Sequence, residues 1–311
     1  MRPFRFLADV REIVPGAELA RRARRAEDLG YHALVIPDHL TGQLSPVVAM
    51  TTIAVATTTL RVGAFVLNND LRHPAVLAQD LAAIDVLSGG RLDLAIGAGW
   101  NRPEYDAIGL AFDPTPVRQA RLAEAVTVFK KCLSGQEFSY SGEHYRVTGY
   151  TGEPSAQRPH PPVFIGGGGR RTLTLAAREA DTVGLAPRIT PAGLDARSLT
   201  LEATREKIDW VARAAGARFA ELELNVYPSA WPPVLTDDLD SEVAAVIAAL
   251  EHRTGTRLSA REVLESPHLF IGSAGRIADK LERLREELGI SSFMLGPLGA
   301  LDAVLDRLAG R

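Results

Sequence analysis

The sequence predicts an α/β chain folded as a (β/α)8 TIM barrel, with insertions after the fourth and seventh strands. Short, almost wholly apolar runs recur along it, such as ALVI at 33–36 and LDLAI at 92–96. Runs of this kind suit parallel strands buried on both faces. Helix-patterned segments separate them with no hairpin between strands, and parallel strands need such crossovers. The 311 residues are enough for one barrel with insertions. The chain is accordingly expected to be a single domain over 1–311, with insertions at about 134–160 and 227–269. A doubly wound sheet is the second reading.

In order, 4–8 (FRFLA) reads as the first strand. Residues 15–29 form a helix with Leu19, Ala23, Ala26 and Leu29 on one side, stopped by Gly30. The second strand, 33–36, ends at Pro37-Asp38-His39. A helix over 46–57 has Pro46 in its first turn and Ser45 as a candidate cap. The third strand is expected at 61–67, a helix over 74–87, and the fourth strand at 92–96, followed by Gly97-Ala98-Gly99-Trp100. A longer helix, 118–133, precedes an alternating stretch at 136–150 that reads as an inserted hairpin. The fifth strand runs into four glycines and then a helix at 172–180. The sixth strand is 182–185, followed by a helix over 199–215 and a seventh strand at 221–226. The insertion at 227–269 carries helices at 241–254 and 260–264. A helix at 274–288, an eighth strand at 292–295 and a last helix at 301–309 complete the chain.

A net charge of −3 offers nothing to a polyanion, so no nucleic-acid partner is expected. No apolar run approaches the ~18 residues of a spanning helix, and the N-terminus lacks the shape of a signal peptide. A soluble cytoplasmic protein with no membrane partner is the expectation. The single cysteine, Cys132, excludes an internal disulfide and reads as a small buried residue. No metal-binding spacing and no serine-nucleophile motif occurs, so no metal is expected.

In a barrel of this kind, ligands meet residues at the C-terminal ends of the strands. That rule selects Asp9; Asp38 and His39; Asn68; Gly97, Gly99, Trp100 and Glu104; Gly166, Gly167, Gly168 and Gly169; and Arg188. Each has a plainer alternative. Asp38 can cap a turn, His39 can be a half-buried structural histidine, and Trp100 can be packing. The glycine run fits neither standard nucleotide fingerprint. It is either a tight turn or a phosphate cradle on the helix N-terminus that follows. Its place at a strand end, beside other ligand candidates, favours the cradle.

Three blocks carry a resemblance: RRAEDLGYHALVIPDH (24–39), GAFVLNNDLRHPAVLAQDLAAIDVLSGGRLDLAIGAGW (63–100) and PHPPVFIGGGGRRTLTLAAREAD (160–181). The chain resembles the bacterial luciferase-like family, and within it the branch that uses the deazaflavin coenzyme F420. The resemblance implies a homodimeric F420-dependent oxidoreductase that transfers a hydride between the deazaflavin C5 and a small organic substrate. An FMN-dependent monooxygenase and a non-catalytic flavin-binding barrel are the alternatives. It implies that Asp38 and His39 lie at the ring, with His39 in acid/base work and Asp38 orienting it or binding the ring's polar edge. It implies a non-prolyl cis peptide at Phe65–Val66 against the ring face, Asn68 at the ring edge, and Gly97 and Gly99 giving close passage. Trp100 is expected at the cofactor and, with Asp9, Glu104 and Arg188, in the substrate pocket. The four glycines would hold the cofactor phosphate. Trp100 stands where sugar-phosphate dehydrogenases of the family carry a glutamate, which counts against sugar-phosphate oxidation.

Overall fold

The computed structural model describes residues 1–190 and 192–308. Its parallel strands are Arg5–Asp9, Ala33–Ile36, a third in two pieces (Arg61–Ala64 and Leu67–Asn68), Leu92–Gly97, Val163–Gly167, Thr182–Leu185, Glu223–Val226 and Ile290–Pro297. They hydrogen-bond in the order third, second, first, eighth, seventh, sixth, fifth, fourth, and the third also pairs with the fourth. The sheet therefore closes on itself as the expected (β/α)8 barrel, with the two insertions where the sequence placed them.

The chain forms two compact units. One comprises 10–27 and 33–165 and supplies the second, third and fourth strands. All four residues of Ala33–Ile36 are buried. Helix Gly16–Asp28 buries Leu19, Ala23 and Ala26 and leaves its arginines outward. The third strand is interrupted because the Phe65–Val66 peptide is cis. Gly97 of the fourth strand faces this break, and a Cβ there would lie 2.7 Å from Val66 Cγ2. The inserted hairpin pairs Glu137–Ser141 with Arg146–Thr151. Its turn is tied down by Glu124, whose carboxylate accepts the N–H groups of Glu143, His144 and Tyr145 at 2.8–3.1 Å.

The other unit comprises 1–9, 28–32 and the chain from Gly166 onward. Its large insertion has a core of its own. Val243, Val246 and Leu250 of helix Leu239–Thr254 meet Val263 of helix Ala260–Glu265, together with Ala196, Leu199 and Leu258. His268 is fully enclosed there. Burial pushes it down to about 3, so its ring is neutral. His252 is exposed on the same insertion.

Several boundaries differ from expectation for local reasons. Ser45 makes no side-chain cap on helix Pro46–Ala56, although Pro46 does occupy its first turn. His73, by contrast, caps helix Pro74–Leu87 by accepting the Ala75 N–H at 3.2 Å. The helix expected at 118 begins earlier, as Thr115–Leu133, because Pro116 is tolerated in a first turn. A short helix, Arg102–Ala107, was not foreseen. Tight 3-10 turns at Ala196–Leu199 and Gly216–Glu221 shorten the helix expected over 199–215 to Leu201–Ala215 and the strand expected over 221–226 to Glu223–Val226. The last helix is Asp302–Leu308, and the expected Ala309 lies outside the described residues. Cys132 is buried and reduced.

Candidate active site

Within 33–165, the ends of the second, third and fourth strands bring one polar cluster together. Asp38 follows Ile36 by two residues and is 5% exposed. Its carboxylate is gripped by both terminal nitrogens of Arg72, at 2.7 and 3.1 Å, and accepts the Asn68 N–H at 2.9 Å. A bidentate guanidinium and a backbone donor satisfy this buried charge. Asp38 thus ties the second strand to the restart of the third. Its cationic partner is Arg72, which follows the third strand by a few residues.

His39 turns the other way. Its Nδ1 lies 2.9 Å from Glu104 Oε1, and Glu104 is 6% exposed. The carboxylate that contacts the His39 ring is therefore Glu104; of the two roles expected for Asp38, orienting His39 or binding the ring's polar edge, the first falls to Glu104. The reason is topological: Glu104 sits on the unforeseen helix Arg102–Ala107, which brings its carboxylate back to the second-strand end. The visible signal was an acidic residue in the first turn after Asn101, with Pro103 marking a helix start. An Nδ1–H given to a carboxylate leaves Nε2 of the neutral ring as an acceptor. His39 retains 27% side-chain exposure for meeting a ligand. The indole of Trp100 stands edge-on to it, with centroids 5.7 Å apart and planes at 85°. Trp100 is 60% exposed, so it is not core packing.

Asn68 and Tyr105 lie behind the fourth-strand loop. Tyr105 is fully buried, and its hydroxyl is 3.0 Å from Asn68 Oδ1 and 3.1 Å from Asp70 Oδ2. Burial, reinforced by the Asp70 charge, pushes its phenol up to about 12. Arg121 binds Asp70 at 2.9 Å and also pairs with Asp113. Arg118, 5% exposed, donates to the carbonyls of Ala98 and Gly99. Gly99 has φ +73°, and any side chain there would overlap the Tyr105 hydroxyl and the Asn68 amide. Phe65 packs on Phe164 with centroids 5.2 Å apart.

The glycine run belongs to the other unit. Gly166 and Gly167 finish the fifth strand, and Gly169 precedes helix Arg170–Glu179 as its N-cap. Gly167 and Gly168 have internal reasons to lack side chains: a Cβ on the first would strike Thr172, and on the second the Pro187 carbonyl. Gly169 has open space at its Cα, and the helix has no side-chain cap. An uncapped helix N-terminus of this kind has the chemistry to accept an anionic group such as a phosphate. Arg188 is 55% exposed at its side chain and paired with Asp195 at 2.6 Å. Asp9 is buried at the end of the first strand. Among the described residues, no group of three His, Cys, Asp or Glu could hold a metal.

The sequence profile described as "Luciferase-like monooxygenase" matches residues 2–292. An FMNH(2)-dependent dimethylsulfone monooxygenase of Pseudomonas putida is 37% identical over 109 residues, 35% of this chain and 30% of that protein. An F420-dependent glucose-6-phosphate dehydrogenase of Kineococcus radiotolerans is 33% identical over 184 residues, 57% of this chain and 54% of that one. The matched stretches thus span from 30% to 54% of these relatives. The structure of a coenzyme F420-dependent tetrahydromethanopterin reductase from Methanopyrus kandleri superposes with a TM-score of 0.77 at 19% identity, covering 99% of this chain and 98% of that one. That likeness shows the fold. With the profile covering most of its length, the chain belongs to the luciferase-like monooxygenase family.

Proposed function

We propose that the protein is an F420-dependent oxidoreductase acting in the cytoplasm on a small organic substrate. The observation that carries this is the His39–Glu104 pair, buried on the carboxylate side and open on the imidazole side. It stands in one unit with Asp38, Arg72 and Asn68, which are joined to one another by hydrogen bonds. When bound, the deazaflavin supplies a hydride donor or acceptor at its C5. The chain's own residues do the rest. Glu104 holds the His39 ring, and His39 Nε2 takes or gives the proton that accompanies hydride transfer at a C=C, C=N or carbinol carbon. Asp38 and Arg72 fix the backbone on which His39 and Asn68 stand. Trp100 shields the site from water. The N–H groups after Gly169 would hold the phosphate.

The choice of F420 is supported by the longer match to the glucose-6-phosphate dehydrogenase than to the monooxygenase. FMN and oxygen chemistry is the second reading, favoured by the higher local identity of the monooxygenase. Titration with F420 and with FMN, followed by fluorescence quenching, separates the two. F420 is expected to bind and to be reduced or reoxidised anaerobically. Turnover with reduced FMN and oxygen, with F420 ignored, would overturn the proposal.

We also infer a homodimer. Val48 and Val55 on helix Pro46–Ala56 are 64% and 65% exposed, and Val76, Val86 and Leu87 on helix Pro74–Leu87 are exposed as well. A dimer mass by light scattering is expected, and Val48→Glu should lower it. A monomer at micromolar concentration would refute this.

A further inference from the structure

The structure assigns Tyr105 as a positioning residue that acts through Asn68, fixing its carboxamide so that the Nδ2 hydrogens face a bound flavin-type ring as donors. This rests on the reading that such a ring binds beside Asn68.

An asparagine amide has two ends of opposite character, and its orientation is settled by its partners. Asn68 Oδ1 faces the Asp70 backbone N–H at 3.1 Å, which demands an acceptor. It also faces the Tyr105 hydroxyl at 3.0 Å. A flipped amide would set two donors against each other at Asp70. The Tyr105 hydroxyl has a single proton, shared between Asn68 Oδ1 and the Asp70 carboxylate, and Arg121 holds the other oxygen of that carboxylate at 2.9 Å. Both oxygen-side contacts of Asn68 are therefore spent internally.

Nδ2 is different. It makes no hydrogen bond among the described residues, yet it is not one of the enclosed polar atoms that lack a partner. In a residue only 7% exposed, that nitrogen is the group left open. Gly99 lies directly against the amide and the Tyr105 hydroxyl, and its lack of a side chain leaves room for the contact between them. A primary amide aimed this way suits a carbonyl oxygen or an unprotonated ring nitrogen, and flavins and deazaflavins carry both along their pyrimidine edge. The chain's own architecture thus turns a two-faced side chain into a donor. It does so with a tyrosine that never meets the ligand.

A double-mutant cycle on the full-length protein tests this. F420 affinity is measured for the wild type, Tyr105→Phe, Asn68→Ala and the double variant, together with the absorption and fluorescence of the bound chromophore. Losing one orienting hydrogen bond should weaken F420 binding by about fivefold in Tyr105→Phe, with a shifted bound-state spectrum. In the Asn68→Ala background the same change should cost less than about twofold, because nothing remains to orient. Equal losses in the two backgrounds would mean that Tyr105 merely supports the fold, and would overturn the assignment. So would unchanged affinity and spectrum in Tyr105→Phe. If the wild type binds FMN and not F420, the choice of cofactor fails, and the same cycle read with FMN still decides Tyr105. Binding of neither by the wild type would overturn both.

Discussion

Glu104 holds His39 Nδ1 at 2.9 Å from a helix of six residues that begins five positions after the fourth strand ends. The imidazole is thereby given one orientation and one free nitrogen. Glu104→Gln keeps the shape and removes the charge that stabilises a protonated ring. Turnover is expected to fall by roughly 10²-fold, within the range for positioned acid/base groups. F420 affinity should change little. Stopped-flow reduction of F420 and a parallel binding titration measure the two. Equal losses in both would place Glu104 in cofactor binding instead.

Asp38, expected to orient His39 or to bind the ring's polar edge, is locked to Arg72 and the Asn68 N–H. Arg72→Ala leaves that carboxylate, 1% exposed at its side chain, without its cation. Removing one member of such a buried pair costs about 3–5 kcal/mol. Denaturant unfolding should show the loss. Arg72→Lys should recover part of it, since a lysine restores charge but not the two-pronged geometry.

Gly97→Ala places a methyl 2.7 Å from Val66 Cγ2. Overpacking of this kind costs about 1–3 kcal/mol. The Tm should drop, and F420 affinity with it. Adding Val66→Ala should restore much of the Tm, because the obstacle is that one side chain. No recovery in the double variant would show that the backbone itself cannot adjust.

Glu27 gathers the N–H groups of Thr58, Thr59 and Leu60. Burial pushes its carboxyl up, but those donors outweigh it and hold it down at about 2, against an ordinary 4.5. A carboxyl lowered in the folded state contributes stability that is complete above 4.5. That contribution is lost as pH falls from there through 2. Wild type should therefore melt above Glu27→Gln at pH 7, and the gap should narrow between pH 4.5 and 2. A gap independent of pH would assign the effect to shape.

The barrel was legible because its signals are local. ALVI and LDLAI announce strands by composition, and Leu19, Ala23 and Ala26 announce a helix by spacing. The site was legible only as a set of strand ends. Which side chain meets which depends on short connecting pieces whose path composition does not fix. Glu104 reaches His39 only because residues 102–107 coil into a helix. Arg72 reaches Asp38 only because residues 69–71 form a 3-10 turn. Tyr105 carried no mark at all in the sequence, since a buried tyrosine and a buried phenylalanine look alike until their partners are known.

The division of the chain into two compact units also bears on how this protein can change over time. Asp38, His39, Asn68, Arg72, Trp100, Glu104, Tyr105 and Arg118 all lie in one unbroken half of the chain, whereas the long insertion over 227–269 builds a hydrophobic core of its own. The contacts that join those residues are all made within that half. Recombination between relatives at a crossover near residue 165 would carry that polar cluster over intact.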